Sequence, residues 1–398
     1  MKKTLLGASA LVGAASLAAA PALAAEAPEI SFSGALAYEG VWSDNDNTEA
    51  AGHGLNITGN EQQSELVWEA TGTADNGLEY GANVQWRWQR AGGPGAFDEA
   101  WMDFSGSFGR LYLGGEDGVT DLVAGTAGHS VQVGTWGTDG NNANRSIAGL
   151  GYALSNGATL NTGLHYYNSM AGMNTDSNKI GYVTPSFAGF QAGISYTPDA
   201  NFLQNTGTNN GAQQKLTEIA VGYGNTFGDV SLKLDASYGM GSDEAGGTTT
   251  GATLNNNGTI TAGGVTTGDQ EDISSFQVGA MVGFAGFSVA ASALDNDDSG
   301  CASNTPTCDA GDAWNIGAGY SFGPASVSVM YQEAEDDTDG NGRSDESEIF
   351  HAGVSYTIAE GLSAYANYYN ASISDEGGTT SASSNDADVL ILGSRITF

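Results

Sequence analysis

The chain is 398 residues long and carries 46 Asp and Glu against 11 Lys and Arg, a formal net charge of -35 that excludes a nucleic-acid partner. Sixty glycines with seven prolines, beside 16 Tyr and 14 Phe, disfavour helices and suit strands joined by tight turns. The four histidines, His53, His129, His165 and His351, are scattered, and no G-x-S-x-G, H-E-x-x-H or CxxC pattern occurs, so the chain reads as a non-enzyme that requires no cofactor.

In chain order, Lys2 and Lys3 form a basic n-region, Leu5 to Ala20 an apolar stretch of small residues, and Ala22-Leu23-Ala24 an A-x-A cleavage site. Residues 1–24 are therefore predicted to be a signal peptide and 25–398 a single mature domain. No later stretch approaches the roughly 18 consecutive apolar residues of a transmembrane helix. An exported chain without a helical anchor is periplasmic, secreted or an outer-membrane barrel.

Strand-like segments then alternate with two kinds of connection. The short ones are Asn76-Gly77, Phe108-Gly109, Asn156-Gly157, Phe187-Ala188-Gly189, Phe227-Gly228-Asp229, Phe284-Ala285-Gly286, Phe322-Gly323-Pro324 and Glu360-Gly361. The long ones are polar and acidic, as in SDNDNTEAAGHG, the run 241–272 and DNDDSGCASNTPTCDAGD. Tight turns at one end and long loops at the other are the asymmetry of a transmembrane antiparallel β-barrel with short periplasmic turns and long extracellular loops.

The strands alternate accordingly. In LEYGANVQWRWQ, Leu78, Tyr80, Ala82, Val84, Trp86 and Trp88 share one face, and Glu79, Asn83, Gln85, Arg87 and Gln89 the other. A soluble sandwich would alternate too, with its largest residues at mid-strand. Here Phe108, Phe187, Phe227, Phe284 and Phe322 each sit at a short turn, where a barrel carries an aromatic girdle.

Two loops and the terminus carry local signals. Cys301 and Cys308, close together in an exported Pro/Asn/Thr loop, are expected to form a disulfide; a metal pair would lack a neighbouring histidine. DTDGNGRSDESE, 337–348, follows EF-hand loop spacing, with Asp337, Asp339, Asn341, the Arg343 carbonyl, Asp345 and Glu348 as candidate Ca2+ ligands. VSVMYQE and IFHAGVSYTI on either side read as strands, so the helices of a calcium sensor are missing, and Asp, Asn and Gly are also the ordinary residues of exposed turns. The last segment, VLILGSRITF, places Leu390, Leu392, Ile396 and Phe398 on one face; with Gly393 it resembles the recognition signal of the barrel assembly machinery.

FSGSFGRLYLGGEDG, SNKIGYVTPSFAGFQAGISYTP and SELVWEATGTADNGLEYGANVQW, with the predicted signal peptide and Phe398, give the chain a resemblance to the general porins of Gram-negative bacteria, particularly the alphaproteobacterial type. The resemblance implies an outer-membrane homotrimer, a barrel of 16 strands and a third loop folded into the lumen. Eight short turns would instead make 18 strands; the disputed one is Asn156-Gly157, which falls inside the third loop if that loop spans 115–177.

By alternation Arg87 and Arg110 face the lumen, and Lys179, Lys233 and Arg395 share that parity. Glu116, Asp117 and Asp121 open the third loop, opposite the basic wall in the family's arrangement. Opposed charges across a narrow aqueous constriction create a transverse field that selects dipolar solutes. The function implied is passive diffusion of ions and small hydrophilic solutes with mild cation preference. The alternative is a surface-interaction barrel whose acidic loops bind ions or lipopolysaccharide.

Overall fold

The computed structural model describes residues 28–45, 52–56, 64–90, 93–124, 131, 133, 176–200, 213–242, 253–254, 260–261, 270–301, 305, 307–337, 342, 344–374 and 384–398. The predicted signal peptide and Asn156-Gly157 lie outside them.

Among the described residues, alternating sequence becomes strand almost everywhere. The strands are β1 (Glu29–Asn45), β2 (Glu65–Thr73), β3 (Glu79–Arg90), β4 (Gly93–Gly106), β5 (Gly109–Gly115), β6 (Asn178–Val183), β7 (Phe190–Asp199) and β8 (Gln214–Phe227). They continue as β9 (Val230–Ser242), β10 (Ile273–Phe284), β11 (Phe287–Asp295), β12 (Asp309–Phe322), β13 (Ala325–Asp337), β14 (Asp345–Ala359), β15 (Leu362–Ser374) and β16 (Ser384–Thr397). Each pairs antiparallel with its neighbour in sequence, and β1 pairs with β16 from Ala35↔Thr397 to Asn45↔Ala387, closing a barrel of 16 strands. Gly52–Asn56 adds a short segment against Glu39–Ser43 of β1. Closure leaves no wall strand with an open edge, so the ladder satisfies the backbone polar groups where no water could.

The two faces differ as a lipid-embedded wall requires. On β7, Phe190, Ile194 and Tyr196 point outward and are exposed, whereas Ser195, Thr197 and Asp199 are buried on the inner face. Ile30, Phe32, Leu234, Phe350, Leu390 and Leu392 are likewise exposed, while Gln277, Asn315, Gln332 and Asn367 are buried. A soluble sandwich would invert this distribution. The aromatic residues at the turns also point outward, with Phe187 at 82% exposure.

Turn chemistry places the hairpins. Ala188 (φ 51°) and Gly189 (φ 90°) both adopt left-handed conformations, and Phe187 and Phe190 exchange both backbone hydrogen bonds across them, at 2.8 and 2.9 Å. This is the tight turn whose twist matches the flanking strands.

The 18-strand alternative is incorrect. β5 and β6 are direct partners, from Arg110↔Val183 to Gly115↔Asn178, so no hairpin stands between them in the wall. The chain from Glu116 to Ser177 is one connection. Strict alternation also breaks at bulges, and the one nearest the third loop matters here: Val84 pairs with Ala100 and Trp86 with Phe97, so Asp98 and Glu99 together oppose Gln85. Both carboxylates are buried as a result, at 2% and 3% exposure.

Candidate functional site

The site is built where the third loop leaves β5 and turns into the lumen. Its first residue folds back on the strand it has just left: Arg110 donates a hydrogen bond to the Glu116 carboxylate, and its guanidinium also lies 3.6 Å from Asp103. Lys179, on the neighbouring β6, donates to the Glu116 carbonyl oxygen. Glu218, Asp117, Asp176 and Glu99 are the electrostatic neighbours of this ammonium. Oxygens of Glu99, Asp117 and Asp176 come within 4.8 Å of one another, a crowding of like charge that Lys179 offsets.

A short helix, α1 (Val119–Val123), then lies along the wall. Its first N–H groups have no partner within so short a helix. Wall side chains supply the acceptors: Val119 N–H donates to Ser195 Oγ at 3.3 Å and Thr120 N–H to Glu218 Oε2 at 3.2 Å. Val119 and Ala124 pack with Tyr112, Val183 and Ala220 in an apolar cluster that also takes in Trp101, Leu122 and Val123. Farther along, Val133 N–H donates to Ser328 Oγ of β13 at 2.9 Å, so the loop reaches from the β7–β8 wall to β13 within the barrel. On the turn side a cavity of about 650 Å³ is lined by Glu79, Ser105, Arg110, Leu122, Thr184 and Gln191.

Of the residues singled out by sequence, Arg110, Glu116, Asp117 and Lys179 come together here. Arg87 forms a separate pair, its Nε 2.5 Å from Asp98 Oδ2. Lys233 is exposed on the inner face of β9, and Arg395 sits on the inner face of β16 between Ala37 and Ser363. Asp121 lies on α1, half-buried. The expected opposition of an acidic loop to a basic wall takes another form, because Glu116 meets the cation of its own strand. Asp103, Ser195 and Glu218 were accessible to parity reasoning; Asp98 and Glu99 were hidden by the bulge.

Burial pushes the Glu116 carboxyl above the ordinary carboxylate range, against the pull of the Arg110 guanidinium. A raised carboxyl pKa means that acidification neutralises Glu116 while ordinary exposed carboxylates are still ionised, leaving Arg110 with less counter-charge. Selectivity is therefore expected to shift away from cations as pH drops into that range. Glu116→Gln should show that shift already at neutral pH and lack this step in reversal potential against pH; an unchanged profile would refute the assignment.

The other predicted sites resolve separately. Cys301 and Cys308 form a disulfide with Cα atoms 5.9 Å apart. In the EF-like segment Asp337 Oδ2 accepts the Gly342 N–H at 2.8 Å, and Asp345 is buried on the inner face. Glu348 is exposed on the outer face and accepts a hydrogen bond from Tyr331 at 3.0 Å. Asp345 and Glu348 thus point to opposite faces of β14, while Asp339, Asn341 and Arg343 lie outside the described residues. At the terminus, Phe398 exchanges backbone hydrogen bonds with Gly34 at 2.9 and 3.0 Å, and Ile396 faces outward.

A closed barrel that is apolar outside, polar inside and narrowed by an inward loop is a membrane-spanning channel. The sequence matches the Gram-negative porin family over residues 7–376, and the chain belongs to that family. It is a non-enzymatic channel of the Gram-negative outer membrane, open to passive diffusion. No curated protein matches the sequence. Among solved structures, the chain is similar in fold to OmpT of Vibrio cholerae in trimer form, at 16% identity and TM-score 0.59, covering 94% of this chain and 100% of that one. The anion-selective porin from Comamonas acidovorans gives 17% identity and TM-score 0.60, covering 93% and 100%. A mutant of the Rh. blastica porin gives 17% and 0.54, with the same coverage.

Proposed function

We propose that the channel passes ions and small hydrophilic solutes with a mild preference for cations, as a homotrimer of the alphaproteobacterial type exported by a signal peptide at 1–24. The observation that carries the ion preference is the charge at the constriction, where Glu99, Asp117, Asp176 and Glu218 surround the single ammonium of Lys179. Negative charge fixed in the wall beside a narrow aqueous path raises the local cation concentration, an effect that salt screens within about 10 Å at 0.1 M. Trimerisation is supported by the trimer form of Vibrio cholerae OmpT.

The test is reconstitution into a planar bilayer with a gradient of dilute KCl. The expected reversal potential has the sign of K+ permeation and shrinks as salt rises; a value of zero in dilute salt would sink the preference.

A second reading, a surface-interaction barrel contacting lipopolysaccharide, draws on one observation. Asp295, Asp312, Glu335 and Glu346 pair in succession across β11 to β14 and are all exposed on the outer face. Directly opposed like charges are unfavourable unless something shares them. Recovery of folded protein that gives no channel steps would select this reading.

A further inference from the structure

We propose that four glycines of the inner wall, Gly193, Gly222, Gly319 and Gly353, set the width of the constriction by letting the third loop lie directly on the barrel. The inference concerns pore size and does not depend on the ion preference proposed above. The glycines stand on β7, β8, β12 and β14, all with inner-face parity, and none has the left-handed backbone that would itself require glycine. What each lacks is room for a side chain.

A Cβ added at Gly222 would stand 2.7 Å from the Val123 carbonyl oxygen, and one at Gly353 2.6 Å from that of Val133. At Gly319 it would meet the Val131 carbonyl oxygen at 3.1 Å, and at Gly193 the Val119 Cγ1 at 2.8 Å. The first three contacts are with loop backbone, which cannot turn aside as a flexible side chain does. A methyl group there moves the loop toward the pore axis or moves the wall, and the wall is a closed hydrogen-bonded barrel. The loop is the softer of the two, held in this region by α1, the apolar cluster and the Ser328 hydrogen bond.

Gly222 gives the cleanest test, because all three near contacts of its Cβ are atoms of Val123. Gly224, two residues along the same strand and on the same inner face, has nothing within 4 Å of its Cβ position. The two Gly→Ala substitutions share the backbone effect of losing a glycine in a strand and differ only in what the methyl meets.

In single-channel recordings Gly222→Ala is expected to lower conductance by roughly a quarter and reduce the largest neutral polymer admitted, while Gly224→Ala matches the parent. Equal conductance in the two variants, whether lowered or unchanged, would overturn the proposal. Should Gly222→Ala not assemble, Gly193→Ala takes its place, with Val119→Gly as its partner change. A lowered conductance restored in the double variant supports the proposal, and failure to restore it counts against it.

Discussion

Lys179→Met is expected to release the start of the third loop, read as higher single-channel conductance, or, where the loop stays, to bring a new sensitivity to millimolar Ca2+. Lys179 is 5% exposed, donates to the Glu116 carbonyl oxygen and sits among four carboxylates. Removing the cation leaves Glu99, Asp117 and Asp176, with oxygens within 4.8 Å of one another, to repel without their buried counter-charge. Breaking a buried ionic arrangement from one side typically costs about 3–5 kcal/mol. Moving Asp117 and its loop away relieves that cost locally, at the expense of the hydrogen bonds of Val119 and Thr120 to the wall. Where the loop stays, the vacated carboxylates are hard oxygen ligands for a hard divalent cation, which explains the expected Ca2+ sensitivity. Lys179→Arg keeps the charge and should remain Ca2+-insensitive. If the methionine variant conducts like the parent and ignores Ca2+, the loop is held elsewhere.

The barrel was legible because its sequence signals are local. Alternation, the glycine-containing turns and the aromatic residues beside them each occupy a few neighbouring residues, and the lipid-facing wall rewards the same alternation in every strand. Asn156-Gly157 shows where this ends: turn chemistry is the same inside a long loop as at a barrel rim, and only the pairing of Gly115 with Asn178 separates the two cases. The bulge at Asp98 and Glu99 likewise carries no sequence mark that period-two reading detects. The partners of Arg110 and Lys179 depend on how the third loop folds back, which involves residues far apart in sequence. The calcium-like segment shows the opposite difficulty. Its spacing is read along the chain as though it were a loop, whereas Asp345 to Glu348 already belong to a strand, whose alternation sends those two carboxylates to opposite faces.

Gly393→Val is expected to prevent most of the protein from reaching its folded, heat-modifiable form, and the reason lies at the seam where the last strand meets the first. Gly393 of β16 pairs with Glu39 of β1 on one side and with Tyr365 of β15 on the other. The Tyr365 ring lies across the glycine, and its hydroxyl donates to Glu39 Oε1 at 2.5 Å, linking three strands over the closure. A Cβ at 393 would stand 2.3 Å from Tyr365 Cζ, so valine must expel the ring and leave the buried Glu39 without that donor. The partners are 326 residues apart, and joining chain ends so distant is the slow, entropically costly step of closing the barrel. The same glycine belongs to the segment that resembles an assembly signal, and the two roles separate experimentally. Adding Tyr365→Ala to Gly393→Val removes the obstructing ring, so packing at the seam predicts partial recovery of the folded form on a semi-native gel. A role confined to recognition by the assembly machinery predicts no recovery, because that machinery would read the terminal strand whether or not Tyr365 is present.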